Sequence, residues 1–286
     1  MYYIELYKKK KRMISIVIPT YNRAKILSKT LDSILFQSSH NWECIIVDDG
    51  SLDNTQEIVE QYSACDSRFV YKKNIRSKGA QGARNTGILS ANGDWICLFD
   101  SDDIMYKDYI RNMQNKIMHN SADIVVCYAN IRNLETKKIV GCLDKIQGGY
   151  IHGALLKNNI YIANDVCVIK KKKILEMGLL DEKCIAYQEW DTHISLSKNC
   201  KYEVVEVPLC EWTICGDSSF ANQQKKGLDA ELYIFTKHRS DFRRYAYRHY
   251  LNALYNLWSK MSNPWSLLCL APELLLYKPL KMFLRK

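Results

Sequence analysis

The sequence predicts an α/β fold built on a mostly parallel sheet with helices on its faces. Apolar, strand-like runs alternate with segments of helical periodicity along the first 120 residues, which is the order expected of a parallel sheet. Three of these runs stop abruptly in polar side chains. Ligands of open α/β sheets bind outside the carboxyl ends of the strands, so this pattern also predicts a binding cleft at one sheet edge.

The predicted elements follow in a regular order. Residues 14–19, 42–47, 69–72 and 96–99 are predicted strands. Between them we predict a helix with a buried face of Leu27, Leu31, Ile34 and Leu35, a second helix opened by a capping box at 53–56, and a third helix over 79–91. Beyond residue 120 the pattern loosens, and we expect a strand at 124–128, a hairpin arm at 135–140, and helices at 170–177 and 187–196.

The stretch from residue 93 to 103 is the most informative, because a buried run ends there in Asp100, Asp102 and Asp103. Carboxylates this close together repel one another unless a cation joins them, and hard oxygen ligands favour Mg²⁺ or Mn²⁺. The alternative is a polar turn in which Asp103 N-caps a helix over 104–118. An EF-hand calcium loop is excluded, because Ile104 and Arg111 occupy positions that need oxygen ligands or glycine.

Composition limits the protein class. The 11 cysteines are scattered, and Cys210 and Cys215 lack the second pair that a zinc site needs. Four of them lie inside apolar runs: Cys44, Cys97, Cys127 and Cys167. We interpret the cysteines as reduced core residues of a cytosolic protein. The net charge of +10 suits nucleic acid, an anionic membrane or phosphorylated substrates, and does not decide among them.

Both ends of the chain differ from the middle. Residues 1–12 end in a run of five basic residues with no apolar signal-peptide core after it, so we predict a solvated tail, or an extension upstream of a chain that starts at Met13. Residues 265–286 are apolar, interrupted by Pro272 and Glu273, and end in cations. The apolar part, 265–277, falls short of the roughly 20 apolar residues that span a bilayer. We predict either an interfacial segment, or a helical appendage or dimer contact packed on protein.

Four motifs together resemble the family 2 glycosyltransferases with the GT-A fold, a Rossmann-like sheet. They are residues 15–22 (SIVIPTYN), 47–51 (VDDGS), 82–87 (GARNTG) and 99–103 (FDSDD), and their order and spacing match from about residue 13 to 110. The resemblance implies an inverting, metal-dependent enzyme that uses a nucleoside-diphosphate sugar. It implies a nucleotide-sugar site made by Pro19, Thr20, Tyr21, Asp49, Arg84, Asp100, Ser101 and Asp102.

Individual roles follow from the same resemblance. Tyr21 would stack on the base, and Asp49 would accept a hydrogen bond from an imide N–H, which favours uridine or thymidine. Arg84 would be a cation beside the nucleotide, with a surface ion pair as the alternative. The implied metal ligands are Asp102 and Asp103, and the implied cofactor is Mn²⁺ or Mg²⁺, which neutralises the leaving diphosphate.

The resemblance also points to a catalytic base. The family commonly has Glu-Asp-Trp-Asp where this chain has Gln188, Glu189, Trp190 and Asp191. We assign the base to Glu189, which can accept the same proton, and keep Asp191 as second choice. The alternative is that both carboxylates favour the positive end of the helix.

The predicted function is transfer of a sugar, in the first instance from a UDP-sugar, to a hydroxyl of a saccharide or lipid-linked saccharide in bacterial surface polysaccharide synthesis. A nicotinamide enzyme is disfavoured because the glycine-rich turn after the first strand is absent, and a sugar nucleotidyltransferase is disfavoured for a similar reason. A non-catalytic module that binds nucleic acid or membrane explains the charge but not the carboxylates.

We predict three regions: the basic tail 1–12, a catalytic domain 13–225, and a helical region 226–286 that is membrane-associated or packed on protein. Within the catalytic domain, 13–120 would form the nucleotide-sugar half and 121–225 the acceptor half. The expected partners are a sugar nucleotide, a saccharide or lipid-linked acceptor and an anionic membrane surface, without nucleic acid. The expected location is cytoplasmic, or peripheral at the inner face of the cytoplasmic membrane.

Overall fold

A computed structural model describes residues 13–119, 121–157, 160–214, 224–258, 260 and 272. The predicted basic tail 1–12 lies outside the described residues. So does the segment 265–286, apart from Pro272.

The first half of the chain forms a parallel sheet with helical crossovers. Its strands are β1 (Ile14–Thr20), β2 (Trp42–Asp48), β3 (Phe69–Lys73) and β4 (Trp95–Leu98). They lie in the order β3-β2-β1-β4, and every neighbouring pair is parallel. The connecting helices are α1 (Leu27–Leu35), α2 (Thr55–Cys65) and α3 (Ala80–Ser90). Because the strands share one direction, the carboxyl ends of β1, β2 and β4 meet at one sheet edge.

Close packing of α3 on the sheet positions this edge. A β-carbon placed at Gly87 would lie 2.3 Å from Cγ1 of Val17 on β1, so the helix approaches the strand more closely than any side chain would permit. Helix α3 therefore has a fixed height above the sheet, and its first turns reach the carboxyl edge.

The second half continues the same sheet with mixed directions. Its elements are β5 (Ile104–Met105), α4 (Tyr109–His119), β6 (Ile124–Asn133), β7 (Ile139–Leu143), α5 (His152–Leu156), β8 (Cys167–Lys170), α6 (Lys171–Met177), α7 (Gln188–Ser197) and β9 (Tyr202–Ile214). Beyond β4 the order is β8-β6-β9-β5, with β8 antiparallel to both β4 and β6. The predicted α/β fold is confirmed, and its sheet is parallel in one half and mixed in the other.

Three local predictions were wrong. The helix expected over 104–118 begins only at Tyr109, because Ile104 and Met105 pair with β9 and the N–H of Tyr106 donates to the carbonyl of Leu209. Asp103 is therefore not an N-cap. The capping box at 53–56 does not form, since Asp53 instead bonds the backbone N–H of Thr55. The hairpin arm expected at 135–140 is β7, a few residues further on, because a turn fills the positions before it.

The described residues after β9 form three helices, of which the first two pack against α7 and the third packs on those two. They are α8 (Gln224–Lys237), α9 (Arg239–Tyr245) and α10 (Tyr247–Trp258). Trp190 of α7 meets Phe235 and Phe242 with ring centroids 5.8 and 6.0 Å apart, and Phe242 stacks on Tyr250. These contacts make the described part of the predicted helical region continuous with the core. Among the described residues, no helix combines the length and apolar character needed to cross a membrane.

Candidate active site

A cleft of about 360 Å³ opens at the carboxyl edge of the parallel strands. It is lined by Pro19, Thr20, Tyr21, Arg23, Asp49, Ala80, Ala83, Arg84, Asp100, Ser101 and Asp102. All eight residues predicted to bind the nucleotide sugar are in this set. The structure thus brings them together, and their roles in binding stay predictions.

Asp49 is fixed at one end of the cleft by its own bonds. Its Oδ1 accepts a bond from Nδ2 of Asn74 at 2.6 Å, and its Oδ2 accepts one from the N–H of Gly79 at 2.8 Å. Each carboxylate oxygen keeps a further lone pair, so the group can still accept a bond from a ligand. Tyr21 lies at the rim with 43% of its surface exposed, which leaves a ring face for stacking.

The neighbouring carboxylate, Asp48, is a structural group. Its Oδ1 accepts bonds from the N–H and hydroxyl of Ser51, and its Oδ2 accepts one from Tyr71. These bonds hold the turn that aims Asp49 into the cleft.

Arg84 lines the cleft and is only 4% exposed, which excludes the alternative of a surface ion pair. Its Nη2 is 2.6 Å from Oδ1 of Asp100, and its Nη1 donates to Gln81 and Gln188. The charge of Asp100 raises the pKa of Arg84 against the effect of burial. This cation therefore joins the carboxylate turn after β4 to the start of α7.

Carboxylates concentrate on the other side of Asp100. Oxygens of Asp100, Asp103 and Asp165 lie within 4.8 Å of one another. Burial raises the pKa of both Asp103 and Asp165, and repulsion from Asp100 adds to it. Asp102 is outside this cluster, beside the guanidinium of Arg23 at 3.7 Å, and its pKa is raised by burial.

This donor set fits a divalent cation. Three carboxylates at this spacing, two of them with pKa values raised by burial, are stabilised when a cation binds between them. Asp100, Asp103 and Asp165 supply the hard oxygen ligands that Mg²⁺ and Mn²⁺ prefer, and Asp102 lies at the cleft side of the same turn. Of the two predicted ligands, Asp103 is in the cluster, where it also accepts the N–H of Thr213 at 2.7 Å.

Glu189 sits in the first turn of α7, next to the cluster. Its Oε1 accepts a bond from Nδ2 of Asn164 at 2.9 Å. Burial raises its pKa, while the charge of Arg84 opposes the shift and that of Asp100 adds to it. A carboxylate with a raised pKa and a neutral hydrogen-bond partner is suited to accept a proton.

Asp191 lies elsewhere. It is buried, its Oδ1 is 2.7 Å from Nε2 of His238, and its Oδ2 is 2.8 Å from Nζ of Lys237. It therefore ties α7 to α8 and to the start of α9, and it is not among the residues that line the cleft.

Sequence reasoning missed Asn164 and Asp165. Oδ1 of Asp165 accepts the N–H of Asp100 at 2.6 Å, so the two carboxylate segments are bonded directly. Asp165 precedes its strand, β8, whereas the sequence pattern that predicts a binding cleft is polar residues that follow strands. Because β8 is antiparallel to β4, its amino end reaches the edge where β4 ends.

Solved structures with the same architecture identify the fold class. The chain superposes on TarS 1–349 of S. aureus in complex with UDP-GlcNAc with a TM-score of 0.61 at 16% identity, covering 86% of this chain and 80% of that one. The fold is therefore of the GT-A type.

The sequence gives the family. Residues 15–178 match the family described as Glycosyl transferase family 2, which is more than half of the chain, and the chain belongs to that family. Glycosyltransferase GlyA of Streptococcus pneumoniae is 38% identical over 113 residues, 40% of this chain and 16% of that protein. The Escherichia coli enzyme named UDP-Glc:alpha-D-GlcNAc-diphosphoundecaprenol beta-1,3-glucosyltransferase WfgD is 36% identical over 129 residues, 45% of this chain and 49% of that protein. The match thus spans less than half the length of either relative.

Proposed function

We propose that this glycosyltransferase moves a sugar, with inversion, from a UDP-sugar to a hydroxyl of a saccharide or lipid-linked saccharide in bacterial surface polysaccharide synthesis. The observation that carries the proposal is the cleft itself. It combines an anchored carboxylate and an aromatic ring at one end with clustered carboxylates and a buried arginine at the other. A relative named for a UDP-sugar donor and a neighbour solved with UDP-GlcNAc support the choice of donor.

The base-binding end favours uridine. Tyr21 supplies a ring face that stacks on any base, whereas a fixed carboxylate such as Asp49 can select a base that presents an imide N–H. Uracil has such an imide N–H and cytosine lacks it. Asp49 is held by Asn74 and Gly79, so its oxygens are positioned before the ligand arrives.

The diphosphate end is proposed to hold Mn²⁺ or Mg²⁺ through Asp102, Asp103 and the carboxylates beside them. When bound, the cation neutralises the negative charge that develops on the leaving diphosphate. Arg84 keeps Asp100 in place and adds a fixed positive charge to the cleft.

Glu189 is proposed as the base. Its carboxylate accepts the proton of the acceptor hydroxyl as that oxygen attacks the anomeric carbon from the face opposite the diphosphate. Asn164 holds one oxygen, Oε1, and leaves Oε2 for the proton. Asp191 is set aside as a base because Lys237 and His238 already bond both of its oxygens.

A location at the inner face of the cytoplasmic membrane also remains a proposal. It depends on residues 265–286, which, apart from Pro272, lie outside the described part of the chain. Vesicle binding of the full chain and of a chain ended at residue 264, at low and high salt, tests it. Equal vesicle binding by both chains would contradict a role for this segment.

The function is tested by incubating the chain with UDP-, dTDP- and GDP-sugars, with Mn²⁺ and with octyl glycosides or crude lipid acceptors. We expect product from a UDP-sugar, with an anomeric configuration opposite to that of the donor by NMR. Absence of transfer and of donor hydrolysis with every nucleotide sugar would overturn the proposal.

A further inference from the structure

A pair of aromatic side chains lies on the acceptor side of the molecule, outside the donor cleft. The rings of Tyr161 and Trp212 have centroids 5.7 Å apart and planes inclined by 31°. Tyr161 keeps 41% of its surface exposed, and Trp212 is partly exposed. A tilted pair that packs on itself and still faces solvent offers an apolar surface to a ligand.

Tyr161 is tied to the proposed base by its own loop. Three residues further on, Asn164 donates to Oε1 of Glu189, and the next residue, Asp165, accepts the N–H of Asp100. The charges of Glu189, Asp165 and Asp100 all act on the hydroxyl of Tyr161 and, with burial as the larger cause, raise its pKa. The loop that positions the base therefore also positions this ring.

Trp212 is tied to the same place from β9. The N–H of the next residue, Thr213, donates to Oδ1 of Asp103 at 2.7 Å. Side chains two apart on a strand share a face, and Sγ of Cys210 lies 3.7 Å from the carbonyl of Asp165. Trp212 thus faces the loop of Tyr161, immediately beside the acidic cluster.

The chemistry of the surface selects a type of acceptor. One face of a pyranose ring presents several C–H groups together, which pack on an aromatic ring while the hydroxyls stay in water. An acyclic polyol phosphate has no such face. It is also anionic, and the nearby Glu189 and Asp100 would repel it unless cations intervened.

We propose that Tyr161 and Trp212 form an acceptor subsite that stacks on a pyranose ring and delivers its hydroxyl to Glu189. The subsite rests on the proposed function, because it assigns the acceptor of that reaction. It predicts a saccharide acceptor rather than a polyol-phosphate chain.

The test compares Tyr161→Ala and Trp212→Ala with the ring-preserving Tyr161→Phe and Trp212→Phe. The acceptors are octyl glycosides of glucose, galactose and N-acetylglucosamine, with ribitol 5-phosphate beside them. We expect the alanine variants to raise the KM for the pyranoside by about tenfold, while the phenylalanine variants stay within about threefold. The affinity for UDP should stay within about threefold in all four, because neither ring lines the donor cleft.

Tyr150→Ala is the matched control. This tyrosine is 77% exposed and follows Gly149, which pairs with Tyr202 at the other end of β9. Its loss should change neither acceptor KM nor UDP affinity.

The outcomes separate the subsite from the function. If the intact chain transfers sugar but the alanine variants keep the acceptor KM, the subsite is wrong and the proposed function stands. Preferred transfer to ribitol 5-phosphate would also overturn the subsite. If the intact chain transfers no sugar to any acceptor, both the subsite and the proposed function are wrong. Should Trp212→Ala fail to fold, Tyr161→Ala with Tyr161→Phe decides the question.

Discussion

Helix α7 carries two carboxylates, and their surroundings are opposite. Glu189 faces the acidic cluster and has a neutral amide as its partner, and burial raises its pKa. Asp191, two residues later, is held between Lys237 and His238. Carboxylates away from the cleft, which we call the frame carboxylates, are thus paired with basic side chains of the protein. Those at the cleft are left to be neutralised by a ligand or a proton.

The same contrast holds across the molecule. At the site, burial raises the pKa of both Asp102 and Asp103; the charge of Arg23 opposes the shift at Asp102, whereas repulsion from Asp100 adds to it at Asp103. In the frame, Glu211 is paired with Arg132 and Glu182 with Arg76, and these pairs lower the pKa of both carboxyl groups. Substitution of a cleft carboxylate should therefore lower activity, whereas substitution of a frame carboxylate should lower stability.

The largest expected effect is on Glu189. Glu189→Gln keeps the bond from Asn164 but cannot accept a proton, so we expect transfer to fall by about a thousandfold or more. UDP affinity should stay within about threefold, because Glu189 does not line the donor cleft. Steady-state transfer and UDP titration measure the two quantities.

Glu176→Gln is the control for this variant. Glu176 is an exposed carboxylate that pairs with Lys172 and Lys173 on α6. Its removal should leave transfer unchanged. A Glu189→Gln enzyme that transfers at the normal rate would remove this residue from the mechanism.

Asp191 should behave in the opposite way. Asp191→Asn leaves Lys237 and His238 facing a neutral amide in a buried site, which should lower the free energy of unfolding by about 3 kcal/mol. Urea unfolding measures this, and Glu176→Gln should cost less than about 0.5 kcal/mol. A fully stable Asp191→Asn that has lost all transfer would reverse the assignments of the two α7 carboxylates.

Glu182 tests the same contrast through the pH dependence of stability. It accepts bonds from Arg76, Asn85 and the N–H of Ser77, and these lower its pKa to about 2. Because its pKa is lower in the folded than in the unfolded state, Glu182 stabilises the fold at pH values above its unfolded-state pKa. This stabilisation is lost as the pH falls through its folded-state pKa. We expect Glu182→Gln to cost about 1 kcal/mol at pH 7.

The cost of Glu182→Gln should shrink progressively as the pH falls from about 5 toward about 2. Urea unfolding of both chains across this range measures the difference. A gap that stays constant with pH would show that the carboxylate charge contributes nothing.

The donor side of the site could be predicted from sequence because its geometry is regular. Asp49 and Asp100 follow parallel strands of one sheet, so both reach the same sheet edge and line one cleft. The acceptor side follows no such rule. Tyr161 and Asp165 precede an antiparallel strand, and Trp212 depends on the register of β9, which shifts along β6.

Long-range partners were equally hidden. Asp191 and its partner Lys237 are 46 residues apart, and nothing in the local pattern of either segment indicates the other. From the sequence, Glu189 was the first choice of base and Asp191 the second, and the partners that distinguish the two carboxylates are visible only in the folded chain.

The most direct test of the account is UDP titration by calorimetry, with Mn²⁺ and with a chelator, for the intact chain, Asp102→Asn and Asp103→Asn. The account predicts that Mn²⁺ strengthens UDP binding by at least about tenfold in the intact chain, and that either variant loses most of this gain. Without metal, the variants should bind UDP no worse than the intact chain, since each removes one repelling charge from the cleft. Equal UDP affinity with Mn²⁺ and with chelator in the intact chain would contradict the claim that these carboxylates bind the donor through a divalent cation.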